Sequence, residues 1–329
     1  MERERQKQKA EALLSRVLEL GQKMLPGAEL LASVNSGRSA NTRFARSEIT
    51  STGDVEEVQL RLHAYFGRRH ASTEGNQTDD AGLRALIQRA GQLGRIAPED
   101  PEHVPLLPPQ RYATVTGAYD EATARLGAKE RAAAIATTIA QGDEQKLQVA
   151  GFYQHQSGLH ALGSSSGLRA FHPSTEAQFT TTARTPDGSG SGWAGAVSNH
   201  SVEIDPAALA RVAIDKAVRS RRPQRLPPGR YTVVLEPAAV AELLSFLLRA
   251  LDARTADEGR SFFSRPGGGN RLGDKLTGSN ITLRSDPTEP VTAGAPFAED
   301  GLPLRRNTWI DQGVISSLWY SRYWAQKQG

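Results

Sequence analysis

Residues Tyr231 to Asp252, YTVVLEPAAVAELLSFLLRALD, constrain the fold more than any other stretch of the chain. Tyr231-Thr232-Val233-Val234-Leu235 is β-branched and reads as a buried strand. Glu236-Pro237 breaks that run, after which Ala239, Leu243, Leu244, Leu247, Leu248 and Leu251 recur at helical spacing. A strand feeding an apolar helix has to bury both against further layers, so a core strand and a core helix are expected here.

The polar residues of this unit decide what chemistry it can carry. A zinc peptidase helix needs two histidines on one face and a carboxylate to take a proton from the metal-bound water. This helix has no histidine, and its polar members are Glu236, Glu242, Ser245, Arg249 and Asp252. The residues alone describe a core helix with one solvated or partner-facing edge.

At 329 residues, 38% of them hydrophobic, the chain is long enough for two domains with a core each. No stretch approaches the roughly 18 consecutive apolar residues of a membrane span. The start, Met1-Glu2-Arg3-Glu4-Arg5, is charged and has no signal-peptide hydrophobic region behind it, so a cytoplasmic location is expected. Cysteine is absent, which excludes disulfides, thiolate nucleophiles and Cys-ligated metal sites in this sequence. The net charge of +4, with pI near 9.4, is spread along the chain. Only Arg219-Ser220-Arg221-Arg222-Pro223-Gln224-Arg225 forms a cluster, on a Pro-rich connector without aromatics, and nucleic acid is not the expected partner.

The order of elements points to an α+β protein of two domains. Residues 4–25 read as an amphipathic helix ended by Pro26-Gly27. Ala28 to Val34 reads as a strand, Asn35-Ser36-Gly37 as a turn, and Thr42 to Thr50 as a second strand. Glu57 to Ala71 alternates as a half-buried antiparallel strand, and Asp79 or Asp80 caps a helix through Leu93. An N-terminal domain with a helix on an antiparallel sheet is thus expected over 1–96. Ala97 to Arg111 holds five prolines and has to be extended. With the Ala-rich helix from Asp120 to Ala140 it makes a connector over 97–145.

The stretch 146–329 reads as a β-rich domain, barrel-like or a large antiparallel sheet, with inserted helices. Leu147, Val149, Gly151 and Tyr153 alternate, and Phe171 to Arg184 supplies another strand. Pro186 to Trp193 is a Gly-rich loop; without a following Lys or helix it makes a weak phosphate cradle, and a close-approach loop or a peptide-binding edge are the competing readings. His155 and His160 fall on opposite faces of one strand unless Ser157-Gly158 turns, and no Asp, Glu or Cys completes a metal site with them. Asp205-Pro206 caps a helix through Ser220. Ile281 to Pro287 is a strand ending in a turn, and Ser316 to Gln328 a final aromatic helix that suggests a packing partner.

Several motifs resemble those of the TldD/PmbA family (peptidase family U62). They are the strand–helix unit with its entry Pro227-x-Gly229-x-Tyr231-x-Val233-Val234-Leu235, Arg43-Phe44-Ala45, the small-residue turn Ser165-Ser166-Gly167-Leu168, and the tail Phe297 to Gly329 with its acidic-Gly-x-Pro start. In that family the catalytic TldD-type subunit carries His-Glu-x-x-x-His on this helix, and those positions fall on Ser245, Phe246 and Ala250 here. The resemblance is therefore to the TldE (PmbA) type. It implies no catalytic residue and no metal in this chain, zinc in a TldD-type partner, a heterodimer, and an unfolded peptide as substrate. Peptide- or partner-binding candidates are His155, His160, Ser165, Ser166, Gly190, Gly192, Trp193 and Glu242. The resemblance also implies that family members continue beyond this sequence, so the C-terminal domain is expected to be incomplete. Two other classes stay open: a stand-alone hydrolase pairing Glu242 or Glu236 with His155 or His160, and a non-catalytic regulatory protein of the gyrase-modulator kind.

Overall fold

A computed structural model of the protein describes residues 2–329. The chain forms two units, one of residues up to 100, 106–225 and 287–304, the other of residues 101–105, 226–286 and 305–329.

The first unit is built on one sheet. Its elements are α1 (Glu2–Met24), β1 (Glu29–Ala45), β2 (Glu48–Phe66), β3 (Arg69–Gly75), α2 (Asp80–Ile96), α3 (Glu121–Ala124), α4 (Ala128–Glu144), β4 (Gln148–Ser164), β5 (Arg169–Arg184), β6 (Ser191–Ser198) and α5 (Pro206–Arg219). The strands pair antiparallel in the order β3-β2-β1-β4-β5-β6. Strands expected in separate domains are thus neighbours in one sheet, joined where β1 pairs with β4.

The helices cover one face in two groups, because their apolar stripes need the inward-facing side chains of the strands. Leu14, Val17 and Leu18 of α1 and Leu83, Ile87 and Ala90 of α2 pack with Leu30, Leu60 and Leu62. Ile135 of α4 and Ala213, Ile214 and Ala217 of α5 pack with Phe44, Tyr153 and Phe179. The caps read from the sequence close α2 and α5: Asp79 accepts from Gly82 N at 3.0 Å, and Asp205 from Ala208 N at 2.9 Å. On the other face, Phe297 is 3% exposed and packs with Leu31, Leu162 and Leu168, while the Tyr112 hydroxyl donates to Gly301 O at 2.8 Å.

Three local expectations for this unit change. Asn35-Ser36-Gly37 is no turn, because β1 is central and pairs there on both sides, Asn35 with Gln59 and with His160. The chain reverses instead at Arg46 and Ser47, whose φ values of 52° and 60° give a left-handed pair without the usual Gly or Asn. The helix expected from Asp120 breaks into α3 and α4, as Asp120 caps a first turn at Thr123 N (2.7 Å) and Gly127 restarts the second. Within the expected Gly-rich loop, residues from Ser191 onward are strand β6.

The glycines of that stretch are required by packing. A Cβ on Gly192 would lie 2.1 Å from Ala213 O and 2.6 Å from Ala217 N, and one on Gly190 2.2 Å from Ala217 O. Gly192→Ala is therefore expected to cost about 1–3 kcal/mol by pushing α5 off β6. A circular-dichroism melt of the variant that matches the parent would refute this.

The second unit contains α6 (Pro237–Arg249), α7 (Ala253–Asp257), β7 (Leu283–Ser285), β8 (Asn307–Asp311), β9 (Val314–Ile315) and α8 (Arg322–Gln328), with a small antiparallel sheet in the order β7-β8-β9. Leu251, Ala253, Ala256, Phe263, Ile315, Leu318 and Trp324 make its core. Arg254 holds the 101–105 segment by donating to both oxygens of Glu102 at 2.7 Å each. Neither this sheet nor the larger one closes into a barrel, so of the two β architectures expected the open antiparallel sheet is the one formed.

The central expectation from the sequence is corrected here. Tyr231 to Leu235 forms no strand, and Val233 and Val234 are 68% and 96% exposed. Helix α6 forms where the periodicity places it, yet none of its residues is buried. A β-prone run becomes a strand only when a neighbour takes up its N–H and C=O groups, and no described strand pairs with this one. The last helix is also shorter than expected. Ser321 caps it by accepting from Trp324 N at 3.1 Å, and Trp324 is its one buried residue.

Candidate functional site

Helix α6 presents the three positions where the resemblance places zinc ligands and base. Ser245 Oγ donates to Glu242 O at 2.7 Å, turning its hydroxyl back on the helix. Phe246 is 62% exposed and lies 5.7 Å from the Arg249 guanidinium, and Ala250 ends the helix. None offers the imidazole or carboxylate a zinc ion takes, so the residues present do not fit that metal. Among the described residues there is no group of three or more His, Asp or Glu side chains placed to hold a metal ion. Glu242 is exposed on the same helix.

The other candidates lie in the first unit. Ser165 Oγ accepts from Leu30 N at 2.9 Å, and Ser166 Oγ donates to Leu107 O at 2.6 Å, so both hydroxyls fix the β4–β5 turn. Gly190, Gly192 and the 43% exposed Trp193 stand at the start of β6, where Lys216 Nζ donates to Trp193 O at 3.0 Å.

His155 and His160 project to opposite faces of β4, as their spacing predicts. His155 is 2% exposed beneath α4, with Arg131 Nη1 at 3.2 Å from its Nδ1. Arginine can only donate, so Nδ1 accepts and the ring hydrogen sits on Nε2, which has no partner among the described residues. Burial, then the positive field of Arg131, pushes the His155 pKa down to about 4. Arg131 itself is 1% exposed and donates to Thr42 Oγ1 at 3.1 Å and Leu126 O at 2.9 Å. The sequence reading passed over this arginine, although its signal is present: it shares the buried stripe of Ile135, Thr138 and Gly142.

On the helix-free face, register sorts the side chains into rows across four strands. Gln59, Asn35, His160 and His172 make one row, Glu57, Gly37, Gly158 and Ser174 the next, and Val55, Ser39, Gln156 and Glu176 the third. Gly37, Gly158 and Ser174 of the middle row are small beside Gln59, Asn35 and His160 on one side and Gln156 on the other, and they floor an open cavity of about 370 Å³. The His160 ring stands 5.2 Å from Phe297, and its buried Nε2 has no partner among the described residues. Burial lowers the pKa of both rings in this row, that of His172 to about 4. Both are neutral near pH 7 and able to donate from one nitrogen and accept at the other.

Residues 228–329 match the family described as the PmbA/TldA metallopeptidase C-terminal domain. A metalloprotease of Methanothermobacter thermautotrophicus is 27% identical over 122 residues, which are 37% of this chain and 26% of that protein. The match thus spans about a quarter of that relative's length. Three solved structures share the fold. A Thermotoga maritima protein described as a modulator of DNA gyrase superposes with a TM-score of 0.85 at 15% identity, over 97% of this chain and 72% of that one. TldE from Thermococcus kodakarensis gives 0.81 at 18%, over 96% and 72%. A second protein described as a gyrase modulator, from Bacteroides thetaiotaomicron, gives 0.81 at 20%, over 97% and 74%. Residues 228–329 are thus similar to the PmbA/TldA metallopeptidase C-terminal domain, and the chain shares its fold with TldE and the two gyrase-modulator structures. Among the described residues, no helix is long and apolar enough to cross a membrane.

Proposed function

We propose that this chain is the TldE-like subunit of a cytoplasmic TldD/TldE-type zinc metallopeptidase that acts on unfolded peptides. In that assembly a TldD-type partner supplies the zinc ion and the general base, and this chain shapes the surface along which the peptide is held. The observation that carries the reading is a family scaffold whose helix α6 has Ser245, Phe246 and Ala250 at the metal-site positions. The likeness of fold to TldE supports it.

Co-expression with a TldD-type subunit tests the reading. Peptide cleavage and zinc are expected in the joint complex, with no stoichiometric zinc in the purified chain alone. Zinc held by the isolated chain, or cleavage without a partner, would overturn it. Glu242→Gln separates this reading from a stand-alone hydrolase. Partner-dependent cleavage should stay within about twofold of the parent, whereas loss of a general acid or base removes about 10²–10⁴ in rate.

A further inference from the structure

The helix-free face of the six-stranded sheet carries a trough that the peptidase reading does not use. Its floor runs across the strands through Gly37, Gly158 and Ser174, and Glu57 stands at its β2 end. The flanking rows are each two residues away along the strands, so their backbones stand roughly 14 Å apart. Crossing four strands gives a length of about 14 Å, the reach of about four extended residues. Crowding between β1 and β4 explains the glycines by themselves, because a Cβ on Gly37 would meet Ser157 O at 2.6 Å.

Other features point to a ligand. His160 lines the cavity, and its buried Nε2 has no partner. His172, 7% exposed, stands beside it in the same row. Arg38 and Glu57 are the charged residues lining the cavity, and Arg38 is paired in a two-pronged contact with Asp54. Among the described residues the Glu57 carboxylate has no ion pair, so that end of the trough is negative.

We propose that this trough binds an extended peptide segment whose positive charge, an α-ammonium or a basic side chain, sits on Glu57. The amides of Gln59, Asn35 and Gln156 and the His160 imidazole can each donate and accept, so they match backbone N–H and C=O groups without selecting side chains. Gly37 and Gly158 at the middle of the floor have no Cβ, which lets a second backbone approach closely. The inference rests on the peptide reading for its ligand class, but binding here needs neither the partner nor zinc.

The test uses the full chain alone and a C-terminally fluoresceinated hexapeptide, Lys-Ala-Ser-Ala-Ser-Gly, followed by fluorescence anisotropy. Saturable binding is expected. Glu57→Gln should weaken it by roughly tenfold, and Ser174→Trp, which fills the floor, should abolish it, both with parental circular dichroism. An N-acetylated peptide and one with norleucine for lysine identify which cation is read, and removing both should reproduce the Glu57→Gln loss. No binding up to about 1 mM, or equal binding by the parent and both variants, overturns the proposal. If the assembled peptidase cleaves normally while these variants show no defect in binding, the trough fails and the subunit reading stands. If the trough binds but no TldD-type complex forms, the subunit reading fails instead.

Discussion

Arg131→Ala is expected to destabilise the sheet unit by about 3–5 kcal/mol, read as a lower urea midpoint of the full chain. Arg131 is fully packed between α4 and the sheet, and its hydrogen-bond partners are neutral: Thr42 Oγ1, Leu126 O and His155 Nδ1. Truncation leaves a cavity the size of the guanidinium and its stem, and strips a buried carbonyl and a buried imidazole of their donor. The charge itself contributes little, since burial lowers the arginine's pKa and no carboxylate lies within hydrogen-bond reach. Arg131→Met separates the two effects. It fills most of the volume without donors, and its cost should be smaller, about 1–3 kcal/mol. An Arg131→Ala variant within about 1 kcal/mol of the parent would show that α4 collapses onto the sheet without needing the arginine.

Elements whose ends are marked by local chemistry were legible in the sequence. Asp79 and Asp205 cap α2 and α5 as read, and the apolar stripe of α1 places that helix. What failed depended on distant neighbours. Asn35-Ser36-Gly37 carries turn residues, but pairing on both sides holds it in β1, while the real reversal uses Arg46 and Ser47, which no turn preference favours. Tyr231 to Leu235 has the composition of a buried strand and no strand beside it, because β propensity expresses packing against neighbours more than a backbone preference.

The site divides in the same way. Parity along β4 was enough to send His155 and His160 to opposite faces. The trough was not legible, since Glu57, Gly37, Gly158 and Ser174 meet only through a register that joins residues more than a hundred positions apart. Arg131 was readable from its stripe, yet a charged residue on an Ala-rich helix is more often solvated, and the partner that makes it inward-facing is a histidine on another element.

Acidification should begin to destabilise the first unit above the pH at which carboxylates titrate. His155 and His172 are buried, and both have pKa values of about 4 in the folded chain, against about 6.5 when unfolded. The unfolded chain therefore takes up protons between pH 6.5 and 4 that the folded chain does not, and stability falls as pH falls through that window. Above pH 6.5 neither ring contributes a pH dependence. Each shift corresponds to about 3 kcal/mol by pH 4. Burial lowers His63 and His160 as well, which adds to the same trend. The shifted carboxylates do not confuse the reading. Asp54, Asp120 and Asp274 all have lowered pKa values, so their stabilisation is lost only below the usual carboxylate range. Urea midpoints should hold between pH 8 and 7 and drop steadily from 6.5 to 4.5, and His172→Gln should flatten the drop by removing one of the two most strongly shifted imidazoles. A midpoint that stays level across pH 7 to 4.5 would mean that these rings find water or a proton acceptor in the folded chain.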